Sequence, residues 1–345
     1  MNERVAKLRG SLEEPLLVST PTNVFYLTGF HSTNAALLVE PERVQLFTDF
    51  RYANAARDVP GIEFVPARRN LFSHLAEMLS GRIGFEPANL TYASYQTLAG
   101  GGIELVPRDG LVERLRAVKD EREFEAVRAA ARITNEAFER LSEESFVGRT
   151  EHDLAWRMDE LMHELGADAP AFPTIVAAGA NAATPHAEPG RRRVGENATV
   201  VVDAAAKIGG YCSDCTRTFA TGSLPDELRR AYDVCLEAQA AALRAARAGA
   251  EGTAVDGVAR EIVARDGLGE NFGHGLGHGV GIEVHEAPRL ADVSTDTLAA
   301  GNVVTIEPGI YLEGRGGIRI EDLVVVRDDG AEVLTAFTKE LVTVG

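Results

Sequence analysis

Four of the chain's eight histidines fall between His186 and His285, and three of them, His274, His278 and His285, stand in the single segment GHGLGHGVGIEVHE. Glycines around them permit close backbone approach and unusual dihedrals, which is poor material for a helix or a packed core strand. Carboxylates recur where strands should be apolar. Asp203 follows Thr199-Val-Val-Val, Asp214 sits in GGYCSDCTRT, Glu307 follows VVTI and precedes Pro308-Gly309, and Glu321 follows GIRI and precedes Asp322. A carboxylate at the end of a buried strand is costly unless it is paired or metal-bound. Singly, each residue has an ordinary explanation: Asp214 with Arg217 or Glu321 with Arg319 as an ion pair, Glu307 as a turn residue, His186 as a loop histidine. Together they point to shared neutralisation by cations. Mixed carboxylate and imidazole ligands suit Mn, Co, Zn or Fe. Four carboxylates exceed the need of one divalent ion, so two ions are expected. Two ions about 3.5 Å apart can hold a hydroxide nucleophile and polarise a carbonyl.

These residues need a scaffold. The first ~110 residues read as a small α/β unit by their periodicity. Ala35 to Val39 and Val44 to Phe50 flank the turn Glu40-Pro41-Glu42-Arg43 and predict a hairpin. LFSHLAEML and ASYQTL predict short helices, while NVFYLTGF is a short apolar segment. His31, Asp49 and Arg51 are scattered and read as local structure. The boundary falls near Val118, giving domains 1–118 and 119–345. Beyond it, Phe124, Val127, Ala131, Thr134, Phe138 and Leu141 recur in three- and four-residue steps and predict one buried stripe on a long helix. Thr150 with Asp153 signals the cap of a second helix, running towards Leu165. TVVVDAA and RTFATG predict strands, ELRRAYDVCLEAQAAALRAARAGA a long helix, and Val255 to Ala264 a shorter one. HGVGIEVHE, NVVTIEPGIY and GIRIEDLVVV predict three further strands. A helix–strand–strand–helix order recurring after Lys119 hints at a duplicated unit.

Composition narrows the partners. A formal charge of −17 disfavours nucleic acid and anionic membranes, both of which repel an acidic surface. No apolar run approaches the ~20 residues of a membrane span. The polar start MNERVAKLRG has no secretory h-region, so the cytoplasm is expected. Three cysteines are too few for a disulfide scaffold.

The segments PHAEPG, VVDAAAKIGGYCSDCTRT, GHGLGHGVGIEVHE, TIEPGIY and GGIRIED resemble the pita-bread metallopeptidases in order and spacing, and within them the prolidases and aminopeptidases P. VFYLTGF followed by TDFRY is similar to the leading domain of those enzymes. The resemblance covers nearly the whole chain. It implies an α+β fold: a C-terminal pita-bread domain behind a smaller N-terminal α/β domain. It implies a dinuclear hydrolase that cuts the Xaa-Pro bond by attack of a metal-bridged hydroxide, as a dipeptidase or an aminopeptidase. Asp203 would chelate one metal, Asp214 and Glu321 would bridge both, and His278 and Glu307 would complete the second. His186, His274 and His285 match supporting histidines; His186 and His285 would hydrogen-bond the scissile carbonyl or the tetrahedral intermediate. Glu307 would shuttle the proton. Arg319 matches an arginine that meets a substrate carboxylate, and Arg289 in HEAPR matches a prolidase arginine. The metals would be Mn or Co first, with Zn or Fe as alternatives. The substrate would be a proline-containing di- or oligopeptide, and the assembly a homodimer. The short chain and HEAPR lean towards the dipeptidase.

The stretch DAAAK stands where the family often has glycine, and Cys212 and Cys215 flank the second aspartate. Neither change removes a ligand. His186-Ala-Glu188 with Cys212-x-x-Cys215 imitates a zinc nucleobase deaminase signature. Pro189-Gly190 would break the helix that signature requires, and Tyr211 rather than proline precedes Cys212. The remaining alternatives share the fold: another pita-bread aminopeptidase, or a non-enzymatic pita-bread binding protein, which would be expected to lose ligands.

Overall fold

The computed structural model describes residues 3–345, which divide into two compact units meeting between Arg116 and Ala117. The first unit is a six-stranded mixed sheet. Its order is Glu63–Pro66, Val44–Thr48, Ala35–Val39, Leu16–Val18, Gly81–Phe85 and Ile103–Pro107. The expected hairpin forms, with Val39 opposite Val44 across the turn. Helices Leu71–Met78 and Tyr92–Gly100 close an apolar core on Leu17, Leu38, Phe47, Leu75, Ile83 and Leu98. NVFYLTGF belongs to the helix Pro21–Thr28, started by proline at its first turn and ended by Gly29 at φ 70°. Asp49 and Arg51 pair with each other at 2.7 Å, and His31 stacks on Phe25.

The second unit repeats one plan twice: a helix pair, then antiparallel strands. The predicted order was helix–strand–strand–helix; the helices in fact come together. Helix Glu121–Ser142 opens with a reciprocal box between Asp120 and Glu123, and its whole predicted stripe is buried. Helix Glu151–Glu164 opens with the box of Thr150 and Asp153. These two helices cover the sheet formed by Ile175–Ala178, Thr199–Ala204 and Cys215–Ala220. Helices Asp226–Ala245 and Gly252–Arg265 cover the second set in the same way, burying Val304, Ile306, Ile310, Ile318, Val324 and Val326.

Three predicted strands are broken, and each break matters. HGVGIEVHE is not one strand: only Gly277–Gly279 is extended, and a loop precedes the strand Glu286–Leu290. NVVTIEPGIY splits into Val303–Ile306 and Gly309–Leu312, which belong to different sheets. GIRIEDLVVV splits into Gly316–Arg319 and Asp322–Arg327, again in different sheets. Glu307 and Glu321 therefore sit where the chain leaves one sheet for another, released from the strict in–out alternation of a continuous strand.

Candidate metal centre

Strand Thr199–Ala204 sends Val200 and Val202 into the helix-covered core and Val201 to the opposite face, against Ala177, Ala182 and Ala187. A period of two then puts Asp203 on the face of Val201. Thr216 is its partner across the antiparallel ladder, so its hydroxyl lies beside the Asp203 carboxylate. Glu321 donates its N–H to Thr216 O at 3.1 Å, which joins the second half of the unit to the first. Thr216 Oγ1 donates to Glu321 Oε2 at 2.8 Å and fixes that carboxylate.

Asp203, Asp214 and Glu321 converge, with one oxygen from each lying within 4.8 Å of the others. Asp214 and Glu321 are buried to 4% and 2% exposure. His278 joins this cluster, its Nε2 3.8 Å from Asp214 Oδ2 and 3.2 Å from Glu307 Oε1. All five sequence-predicted ligands thus meet in one place.

Burial and mutual repulsion crowd three of these carboxylates. Burial raises the Asp214 carboxyl well above its ordinary range, and Glu321, Asp203 and Glu307 add to that. Burial likewise raises Glu321, reinforced by Glu307 and Asp203. Burial raises Asp203 too, against the pull of Arg319. Asp203 Oδ1 is enclosed and meets no hydrogen-bond donor among the described residues. His278 Nδ1 donates to Gly279 O at 3.1 Å, which leaves the Nε2 lone pair aimed at the carboxylates. Burial opposes the charged imidazolium of His278, but the Glu307 carboxylate outweighs it and raises the pKa. Oxygen-rich donors with one imidazole fit hard to borderline divalent ions, and an orphaned carboxylate oxygen fits a ligand's empty valence.

Around this cluster lies a layer of orienting groups. Thr305 Oγ1 donates to Glu307 Oε1 at 3.0 Å and accepts the His278 N–H at 3.1 Å. Arg319 is buried and gives its N–H groups to Asp203 Oδ2 at 2.7 Å, Thr216 Oγ1 at 3.1 Å, Pro185 O at 3.0 Å and Tyr311 Oη at 3.0 Å. Four of its five N–H groups are thus taken up by protein acceptors. It does not pair with Glu321, two residues away in sequence. His274 is also occupied, Nδ1 donating to Gly275 O at 2.8 Å and Nε2 accepting from Tyr311 Oη at 2.9 Å. Burial lowers its pKa and favours the neutral ring this arrangement needs.

His285 and His186 remain open. Both are exposed, and the His285 ring stands 4.3 Å from that of His278. His186 is near enough to act electrostatically on both His274 and His285. Arg289 is exposed and lies directly across the ladder from His278, on the same face. Cys212 and Cys215 hold nothing here. Cys215 packs in the helix-covered core, and Cys212 points its thiol at Ile282 O. Sequence reasoning missed Tyr311, Thr216 and Thr305. Thr216 had a signal, two residues beyond Asp214 in SDCTRT; Tyr311 had none short of the fold.

Residues 125–328 match Metallopeptidase family M24, and residues 4–118 match the Creatinase/Prolidase N-terminal domain. The chain belongs to Metallopeptidase family M24. Among similar proteins is the Xaa-Pro dipeptidase of Pyrococcus furiosus, 33% identical over 99% of this chain and 100% of the relative. A solved Xaa-Pro dipeptidase from Bacillus anthracis superposes with a TM-score of 0.94 at 35% identity, covering 99% of each chain. An X-Pro aminopeptidase from Thermotoga maritima superposes at 0.89 with 32% identity, over 99% of this chain and 100% of the other. As in the other M24 metallopeptidases, the convergent carboxylates are suited to divalent metal. No helix among the described residues is long and apolar enough to cross a membrane.

Proposed function

We propose that this protein cleaves the peptide bond before proline, as a two-metal Xaa-Pro dipeptidase. The observation that carries the reading is the convergence of Asp203, Asp214 and Glu321 within 4.8 Å, with His278 and Glu307 adjoining. Asp203, Asp214, His278, Glu307 and Glu321 would hold the two ions. Mn or Co is proposed as the metal pair, with Zn or Fe as alternatives. Bound there, the ions would supply Lewis acidity for the scissile carbonyl and a water nucleophile at neutral pH.

The chain's own groups do the rest. A bond to proline has no N–H, so an enzyme that grips an extended backbone loses a contact there. His186 and His285, exposed beside the cluster, donate to the oxygen on which negative charge develops. Glu307 carries a proton to the proline nitrogen, which must leave as an amine. His274 and Arg319 act at one remove, through Tyr311, Asp203 and Thr216. Arg289, facing the same side as His278, takes the substrate carboxylate in place of Arg319. A carboxylate clamp this close to the metals favours dipeptides over longer chains.

The domain limit is placed at Val118, supported by the split of the chain after Arg116 and by the two family matches, 4–118 and 125–328. A cytoplasmic homodimer is proposed for the assembly. The test is hydrolysis of Ala-Pro and Ala-Pro-Ala by the Mn-loaded protein, with Asp214→Asn as control. Cleavage of the dipeptide alone, lost in the variant, supports the dipeptidase. Release of Ala from the tripeptide makes it an aminopeptidase. No cleavage with Mn, Co or Zn ends the proline-directed reading.

A further inference from the structure

The two open histidines ride on loops, and each loop is wrapped around a glutamate whose side chain is buried. Glu151 is 1% exposed, at the first position of helix Glu151–Glu164. Its Oε1 accepts from the Ala178 N–H at 2.9 Å and Asn181 Nδ2 at 3.0 Å; its Oε2 accepts from Asn181 Nδ2 at 3.0 Å and the Gly190 N–H at 3.1 Å. Asn181, in the short 3-10 turn Gly179–Ala183, and Gly190 flank the stretch that carries His186, so one carboxylate staples both sides. The same helix start binds the loop's exit, through Glu151 N–H to Arg192 O and His152 N–H to Gly190 O, both at 3.0 Å.

Glu286 does the same for His285. Its side chain is 5% exposed and pairs with Lys119, whose side chain is 1% exposed, at 3.2 Å. Its other oxygen accepts the Glu283 N–H at 3.1 Å. A Cβ at Gly281 would stand 2.6 Å from the Glu286 carboxylate, so any larger residue there would displace that carboxylate. The turn is further closed by Gly281 N–H to Glu283 O at 3.0 Å and Cys212 N–H to Gly281 O at 2.8 Å. Lys207 Nζ holds Ile282 O at 3.1 Å.

Loops of this kind pay for order with conformational entropy, and neither histidine ring is held by a hydrogen bond to another described residue. The carboxylates supply the order instead. We infer that Glu151 and Glu286 are positioning residues that fix His186 and His285 for catalysis, a role that rests on the peptidase reading above. A donor aimed at developing charge works only if it is held in place beforehand. Misplacement by an ångström can cost on the order of a hundredfold in rate.

Glu151→Gln and Glu286→Gln keep the shape and put an amide donor where an oxygen accepted. Hydrogen exchange by mass spectrometry, metal content and steady-state kinetics are measured on each full-length variant. In Glu151→Gln, amides of 181–190 should exchange about tenfold faster, and in Glu286→Gln those of 280–285, with exchange elsewhere and metal content unchanged. Because the lost contacts act in the transition state, kcat should fall roughly tenfold to a hundredfold while KM barely moves. A role in global stability alone would raise exchange throughout and leave kcat per folded molecule intact, and that result overturns the inference. So does unchanged local exchange. If Glu151→Gln does not fold, Asn181→Ala removes one donor, keeps the carboxylate and should give the same local exchange. If the wild-type protein cuts no prolyl peptide, the peptidase reading falls, while exchange still decides whether these carboxylates hold the loops.

Discussion

Arg319 and Asp203 are joined across the two halves of the catalytic unit, Nη2 to Oδ2 at 2.7 Å, with side-chain exposures of 5% and 14%. The guanidinium also holds Thr216, Pro185 and Tyr311, so one planar group ties the Asp203 strand, the His186 loop and the His274 ring together. Lysine cannot reproduce that fork. Arg319→Lys should therefore fold, yet bind metal about ten- to a hundredfold more weakly, as measured by titration calorimetry. Wild-type affinity would refute the positioning role.

Thr216→Val keeps the volume and removes one hydroxyl. Glu321 Oε2 then loses its 2.8 Å donor. Metal affinity should drop by about tenfold, with little change in melting temperature. An equal loss of stability and affinity would mean that the hydroxyl is structural.

Chelation should lower the melting temperature, because metal binds only the folded chain. At a hundredfold excess over Kd the difference is about 2.7 kcal/mol, or roughly 5–10 °C. The pH dependence has a definite sign. Burial and mutual repulsion raise the carboxyls of Asp203, Asp214 and Glu321 in the folded chain. The unfolded chain therefore loses those protons first, at about pH 4. Above that value the chelated protein loses stability as pH rises towards the folded values. Scanning calorimetry with and without EDTA should show the gap widening with pH; a constant gap would count against a crowded, cation-neutralised cluster.

The cysteines should be inert. Burial pushes the Cys212 thiol up to about 11 and Cys235 up to about 12, and Cys215 higher still. All three are enclosed. Native protein should resist iodoacetamide at neutral pH, while denatured protein takes up three equivalents. Cys212→Ser with Cys215→Ser should retain full metal content. Loss of metal in that variant would revive a thiolate site.

Much of this protein is legible in its sequence. The helix stripe from Phe124 to Leu141, the Thr150–Asp153 cap and the hairpin at Glu40 follow from local periodicity and capping chemistry, which act within a few residues. The five metal-ligand candidates stood out because each placed a charge where the neighbouring pattern was apolar. What the chain could not announce was who pairs with whom. Arg217 was a natural partner for Asp214 and Arg319 for Glu321, yet Arg217 binds Asp322 and Arg319 binds Asp203. Residues two apart in a strand share a face at ~7 Å, whereas cross-strand neighbours stand at ~5 Å, so the fold favours distant partners over near ones. The breaks at Glu307 and Glu321, the bond from Tyr311 to His274 and the staples of Glu151 and Glu286 belong to the same class. Residue types and their order were set by sequence; pairing, loop anchoring and the four hydrogen bonds of the Arg319 fork came only from bringing two halves of the chain face to face.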